Sequence, residues 1–398
     1  MDDEPDYNRD NPPTLYRPGV LGGRAVDLDT SSIRPLGNRV GLFSGERRER
    51  DADEARQVVA IKVVPEDSTR APRNGRREAE LLSRLSHPNI ISLLNSYLQP
   101  PSPSSLGSRI TLFFPFYPHT LRKLLDSPAF IPDTLSSSSF SSFSAFSHVI
   151  AKQLISATSY LHSCSISHRD INPSNVVISD EGQVKLIDFG IAVKDGDEKA
   201  GEQCFEVGTG PYRAPELVFA AKTYDPFAID LWALAATIAE MFRPFTSPDP
   251  PSPSSQEDEY DDPRFSWMKA SSTPFLPTRQ CLFESGSSDF VLAASIFKIV
   301  GTPTLETWPE ARHLPNFTRF SFASFPPPDL ACHLPHLEPT SRLLDILQSM
   351  LVCSAAKRMS ASSAEKRLKE LGIDESQNMR QYLEHLMEGQ SVEGVSSQ

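Results

Sequence analysis

The segments His168-Arg169-Asp170-Ile171-Asn172-Pro173-Ser174-Asn175 and Asp188-Phe189-Gly190 bracket a short apolar run. Together they offer a carboxylate, an amide and a second carboxylate close in the chain. Phosphoryl transfer needs a carboxylate to orient the attacking hydroxyl and oxygen ligands to hold Mg²⁺ against a triphosphate, with little covalent help at the reacting centre. Asp170 can take the first role, Asn175 and Asp188 the second. Upstream, Val59-Ala60-Ile61-Lys62 puts an ammonium on a strand. Glu78 sits in the helix that follows, where its carboxylate can pair with Lys62 and aim it at the phosphates. Ala214-Pro215-Glu216 lies downstream. Any one triplet arises by chance, but all of them in this order and spacing specify ATP- and Mg²⁺-dependent phosphoryl transfer.

These residues need elements to hold them. Residues 58–64 are β-branched and read as a buried strand, and 76–85 carry Leu81, Leu82 and Leu85 at helical spacing, ended by His87-Pro88. Strands are expected at 90–97 and 110–116, separated by a Pro/Ser loop near 100–108, and a short helix at 121–125. A Ser-rich insertion near 136–144 leads into an amphipathic helix ending near His162, after which the pattern is mostly helical. A second insertion, near 246–263, mixes prolines and serines with the acidic run Glu257-Asp258-Glu259, which reads as a solvated face. Residues 1–32 have no apolar period and are expected to form a disordered arm. The expectation is an α+β fold over 33–372, with a small, mainly β lobe (about 33–116), a large, mainly α lobe (about 117–372) and a tail over 373–398.

Composition narrows the partners. The sequence holds 39 Lys plus Arg against 51 Asp plus Glu, a net charge of −12 that repels a phosphate backbone and argues against nucleic acid. Five widely spaced cysteines give neither a disulfide framework nor metal-ligand spacing, which fits a reducing compartment, nucleus or cytoplasm. The acidic N-terminus lacks the basic start and apolar run of a secretory signal, and no apolar stretch is long enough to span a membrane.

With these motifs in place, residues 33–372 resemble the eukaryotic protein kinases of the two-lobed fold, and among them the cyclin-dependent kinases. Further residues carry the likeness: Arg77-Glu78 with Leu81-Leu82, His87-Pro88-Asn89-Ile90, Tyr212-Arg213-Ala214-Pro215-Glu216, Asp230-Leu231-Trp232, Phe297-Lys298-Ile299-Val300-Gly301-Thr302-Pro303 and Trp308-Pro309. The resemblance implies that Arg358 pairs with Glu216 inside the large lobe. It implies that Phe114 guards the back of an adenine pocket, that the hinge through Phe116 and Tyr117 binds the base, and that Ala60 and Val177 sandwich it. Thr209 and Gly210 are then expected on the acceptor side, and His168 braces Asp188 through backbone. The substrate implied is a protein serine or threonine.

The chain departs from that family in specific places. The glycines of Leu36-Gly37-Asn38-Arg39-Val40-Gly41-Leu42-Phe43-Ser44-Gly45 are spaced four apart, not as G-x-G-x-x-G, and the charged stretch 46–56 follows them. They read either as a phosphate cradle or as plain turns. Asn172 stands where such kinases carry a lysine that touches the transferred phosphate. Cys204 stands at the position of the activating threonine; Arg77 and Arg169 match two of the three arginines that clasp its phosphate, and Val193 replaces the third. This predicts an activation segment ordered without phosphorylation, with Glu202 or Glu206 available to pair with Arg169; a redox role for Cys204 is the competing reading. The stretch 72–77 before the Glu78 helix is polar and interrupted by glycine, which disfavours cyclin docking.

These departures resemble the divergent fungal single-subunit kinases that phosphorylate the loop threonine of cyclin-dependent kinases. The expected activity is therefore a protein serine/threonine kinase acting on proteins, a cyclin-dependent kinase among them. A nucleotide-binding pseudokinase scaffold and a kinase that requires a cyclin are the alternatives.

Overall fold

The computed structural model describes residues 27–36, 42–48, 57–66, 72–100, 107–132, 137–198, 203–246, 278–286, 288–326, 329–370 and 379–391. Five antiparallel strands make the small lobe: β1 (Asp27–Pro35), β2 (Leu42–Arg48), β3 (Gln57–Pro65), β4 (Asn95–Gln99) and β5 (Arg109–Pro115), in the spatial order β1-β2-β3-β5-β4. Successive side chains of a strand point to opposite faces. In β3 this sends Val59 and Ile61 into a small core with Ile33 and Phe113, and turns Ala60 and Lys62 to the other face, towards the large lobe. Ala60 lies opposite Phe114 and Lys62 opposite Leu112, so register alone brings the expected base-binding and phosphate-binding residues to one side.

Helix α1 (Gly75–Arg84) packs on the face of this sheet that carries Lys62, capped by the Asn74 side chain, which accepts from the Arg77 N–H. Leu81, Leu82 and Glu78 share its buried face. Gly75 does not interrupt the helix but begins it, and a Cβ there would stand 3.4 Å from Val64 Cβ, so the glycine permits close approach to β3.

In the large lobe, β6 (His119–Thr120) leads into α2 (Leu121–Asp126) and then the long α3 (Ser137–Ser163). Short strands follow: β7 (Ile166–Ser167), β8 (Val176–Ile178), β9 (Val184–Leu186) and β10 (Val193–Lys194), with β6-β8-β9 and β7-β10 as the two small sheets. Then come α4 (Pro215–Val218), α5 (Pro226–Glu240), the pair β11 (Phe245–Thr246) and β12 (Thr278–Arg279), α6 (Asp289–Val300), α7 (Arg342–Met350), α8 (Ala361–Lys369) and α9 (Met379–Ser391). α5 is buried from Ala228 through Glu240 and is the axis of the lobe. Trp232 on it is fully buried, stacked on Phe283 at 5.2 Å, with the Arg358 guanidinium over its ring.

Several expectations need correction. Strand β1 begins at Asp27, inside the stretch 1–32 read as an arm, because antiparallel pairing with β2 supplies backbone partners that side-chain pattern does not announce. The strand expected at 90–97 is confined to Asn95–Gln99; Ile90 makes only an isolated bridge to Leu186. The Ser-rich stretch 136–144 is helical from Ser137 on and forms the first turns of α3, in which Phe143 and Phe146 are buried. The tail read over 373–398 contains α9, whose Met379, Leu383 and Leu386 are buried. Residues 1–26, 101–106, the bulk of the 246–263 insertion and the glycines at 37 and 41 lie outside the described residues.

Candidate active site

The cleft between the lobes, about 780 Å³, is lined from above by Ala60, Lys62, Arg73 and Glu78, at the back by Phe114, Phe116 and Tyr117, and from below by Asp170, Asn172, Asn175, Val177, Asp188 and Thr209. Every candidate nucleotide, metal and catalytic residue therefore opens onto one space. Arg169 and Cys204 do not; they lie behind and beside it in the activation segment.

The Lys62 ammonium donates to both Glu78 oxygens, at 2.7 and 2.8 Å, and to Asp188 Oδ1 at 2.8 Å. Glu78 is 1% exposed, and a buried carboxylate must be paired. Burial opposes ionisation of both Lys62 and Asp188, yet their mutual attraction overrides it: Lys62 is held above the usual lysine value by Glu78 and Asp188, and Asp188 is held well below the usual carboxylate range by Lys62. Both stay charged. Arg73, which sequence reasoning missed, adds a second cation 3.6 Å from Asp188 Oδ2. Its only sequence signal is its place just before α1, whose Asn74 N–H donates to the Gly190 carbonyl at 2.9 Å and so ties helix to motif.

The turn that carries Asp170 is built from α5. Asp230 is fully buried and its carboxylate accepts from the His168 N–H at 2.8 Å and the Arg169 N–H at 2.7 Å, with the His162 ring at 3.1 Å. His168 Nε2 lies 2.9 Å from the Ile187 carbonyl, bracing the backbone just before Asp188, and its ring meets Phe189 edge-on at 4.8 Å. Arg169 and Asp188 both adopt φ of 65°, left-handed conformations uncommon for these residues and held here by those bonds.

Asp170 is surrounded by donors. Thr209 Oγ1 donates to its Oδ1 at 2.6 Å, Asn172 Nδ2 to the same oxygen at 3.0 Å, and Asn175 Nδ2 to its Oδ2 at 3.0 Å. The amide of Asn172 thus occupies itself with the carboxylate beside it. Gly210 follows Thr209 at φ of 41°, opening the short turn that runs to Arg213.

The donor set suits a triphosphate with Mg²⁺. Lys62 offers a point charge, and Asn175 and Asp188 offer one hard oxygen each. Among the described residues no group of three His, Cys, Asp or Glu side chains converges as a metal cage. Mg²⁺ commonly takes one or two protein ligands and fills its octahedron with phosphate oxygens and water.

Behind the cleft, Glu198 and Asp197 meet the arginines of the activation segment among the described residues. Glu202 lies outside the described residues, and the partner of Arg169 is Glu198, at 2.7 Å, not Glu206. Arg77 faces Asp197 at 3.8 Å. Val193, at the place of the third arginine, is buried in β10 opposite Ser167. At the base of the segment Arg358 pairs bidentately with Glu216, at 2.6 and 2.7 Å.

The chain is similar to known proteins. The family model described as "Protein kinase domain" matches residues 44–368. Cyclin-dependent kinase 7 of Xenopus laevis is 29% identical over 331 residues, covering 81% of this chain and 76% of that protein. Among solved structures, the yeast RNA polymerase II CTD kinase CTDK-1 complex contains a chain that superposes with a TM-score of 0.59 at 22% identity, over 88% of this chain and 95% of that one, a likeness of fold. No helix among the described residues is long and apolar enough to cross a membrane.

Proposed function

Because this chain belongs to the protein kinase domain family, matched over residues 44–368, we propose that it is an ATP- and Mg²⁺-dependent serine/threonine kinase of cyclin-dependent-kinase type whose substrates are proteins, including the activation loop of a cyclin-dependent kinase. The observation that carries this reading is the convergence of Lys62, Glu78, Asp170, Asn175 and Asp188 on one cleft with Lys62 already paired to Glu78. The similarity to cyclin-dependent kinase 7 supports a place in cell-cycle or transcription control and work in the nucleus or cytoplasm.

In this reading Ala60, Val177 and Phe114 enclose the adenine, and the backbone through Phe116 and Tyr117 binds its edge. Lys62, fixed by Glu78, holds the phosphates. Asn175 and Asp188 hold the metal, which neutralises charge on the phosphates when bound. Asp170 accepts a hydrogen bond from the substrate hydroxyl and takes its proton as that oxygen bonds to the γ-phosphorus of ATP and the bond from this phosphorus to the bridging oxygen breaks, ADP leaving with that oxygen. The hydroxyl of Thr209 marks where a substrate hydroxyl can reach Asp170 Oδ1.

The Lys62–Glu78 pair also bears on activation. In a kinase that waits for a cyclin, the partner must press the glutamate helix into place; here Asn74 ties α1 to Gly190 within the single chain. That supports action without a cyclin.

The test is phosphate transfer from ATP by the purified chain to a panel of inactive cyclin-dependent kinases. Transfer without added cyclin, abolished by Asp188→Asn, is the expected result. Activity that appears only on adding a cyclin would remove the single-subunit reading. Nucleotide binding without transfer under any condition would leave a scaffold.

A further inference from the structure

We propose that Glu198 and Asp197 are positioning residues that occupy the place of a loop phosphate, clasping Arg169 and Arg77 and so fixing the catalytic turn permanently. The inference rests on the kinase reading of the site and adds how its activation segment is held.

The side chain of Arg169 is fully buried, and a buried guanidinium left unpaired is strongly unfavourable. Its Nε donates to the Ile191 carbonyl at 2.8 Å and its Nη1 to Glu198 at 2.7 Å, while Nη2 has no partner among the described residues. One carboxylate thus does part of what a multivalent phosphate would do. Arg77, on α1, meets the adjacent carboxylate of Asp197 at 3.8 Å, so consecutive residues of the segment reach one arginine from each lobe.

These carboxylates are rigidly presented. Strand β10 pairs with β7 just before them, Asp195 donates its N–H to the Ser165 carbonyl at 2.8 Å, and Asp197 donates to Lys194 at 3.0 Å. Gly196 turns the chain at φ of +86°, a conformation that favours glycine. The acceptors therefore come from the anchored start of the segment, well before Cys204.

The later part is tied to the same arginine. Tyr224 donates its hydroxyl to the Cys204 carbonyl at 2.7 Å and accepts from Arg169 Nη1 at 3.4 Å. The Gln203 amide exchanges two hydrogen bonds with the Tyr224 backbone, at 2.9 and 3.1 Å. Cys204 is held here through its backbone carbonyl and not through its side chain. Arg169 in turn precedes Asp170 directly, and the charge at Glu198 acts on the catalytic carboxylate through a single peptide.

The experiment uses the full chain with ATP, Mg²⁺ and a protein substrate. Glu198→Gln preserves size and removes charge; kcat is expected to fall about tenfold or more, while KM for ATP stays within about twofold, as a lost charge-assisted bond behind the turn predicts. Asp197→Asn with Glu198→Gln falls further. Glu198→Ala is expected to regain part of its kcat in formate, whose carboxylate can enter the vacated space, but not in chloride of equal ionic strength. Phosphatase treatment leaves the wild type unchanged. An unaltered kcat in the double variant, a lowered kcat that formate does not restore, or inactivation of the wild type by phosphatase each overturns the clasp. Amide hydrogen exchange over 191–198 and 203–213 reads it without turnover, and faster exchange in Glu198→Gln is expected. If the wild type transfers no phosphate, the kinase reading fails while exchange still decides the clasp, and unchanged exchange overturns it.

Discussion

Asn172 Nδ2 lies 3.0 Å from Asp170 Oδ1, the oxygen that the Thr209 hydroxyl reaches at 2.6 Å. Under the proposed function, Asn172, which stands where the resemblance places a lysine, orients the carboxylate of Asp170 instead of meeting the phosphate. Asn172→Ala is expected to lower kcat about tenfold, the scale of a hydrogen bond to a charged group. Asn172→Lys gives up that bond but adds a cation near the transferred phosphoryl group. One such contact is typically worth on the order of 10² to 10³ in rate, so a net rise of about tenfold is expected. Steady-state kcat of both variants checks this; a lysine variant slower than wild type would mean that orientation of Asp170 dominates.

The Glu216–Arg358 pair closes the base of the activation segment across a separation of 142 residues, and Arg358 also donates to the Ala228, Val352 and Cys353 carbonyls. Removing one partner of a buried ion pair leaves an uncompensated charge and costs about 3–5 kcal/mol. Glu216→Gln is expected to lie at the low end of that range, since its amide still accepts one bond, and Arg358→Ala at the high end. Denaturant unfolding of the two variants measures the order. Equal, small losses would show that the pair is solvated in solution.

Arg73 apart, the charged residues that open onto the cleft were legible because each is locked to its neighbours by local geometry. Lys62 follows from strand alternation, and Asp170 and Asp188 sit in turns whose flanking His168 and Phe189 read as a unit. The acceptors of Arg169 were not legible to the same degree. Acidic residues are common in this segment, and only the fold of β10 against β7 selects Glu198 over Glu206. Helix α9 and the first turns of α3 were missed for a related reason: their polar composition hides a few apolar residues, and the surface that receives them is built from distant chain. The whole of β1 depends on ladder partners in β2, which no property of residues 27–32 reveals.

His148 sets an expected pH response. Its Nδ1 donates to the Ser144 carbonyl at 2.7 Å, which leaves Nε2 to accept from Ser341 Oγ at 3.4 Å, and the ring meets Phe242 edge-on at 5.9 Å. Burial lowers its pKa below the usual histidine value, against the opposing pull of the Ser144 carbonyl. A histidine with a depressed folded pKa stabilises the fold while neutral. That contribution is present above the unfolded value of about 6.5 and is lost as pH falls below it, because the unfolded chain then binds the proton first. Burial lowers His336 in the same direction. The melting temperature is expected to fall on acidification from about pH 7, and His148→Gln to fall less steeply. Parallel profiles for the two proteins would remove His148 as a contributor.

Helix α9 carries the last prediction. Met379, Leu383 and Leu386 recur at helical spacing and are 8%, 2% and 0% exposed, and Tyr382 packs its ring on Phe146 at 4.9 Å. Phe146 in turn contacts Phe130 in the core, so the Tyr382 ring joins α9 to an aromatic cluster of the large lobe. Truncating one buried leucine to alanine costs about 2–5 kcal/mol where the cavity cannot collapse, and less where a terminal helix can shift to fill it. Leu383→Ala and Leu386→Ala are each expected to cost about 2 kcal/mol for that reason. Neither leucine lines the cleft, so KM for ATP should not move. Stability equal to wild type in the double variant would show that α9 does not dock in solution, whereas lowered stability with altered KM would mean that the helix also reaches the cleft.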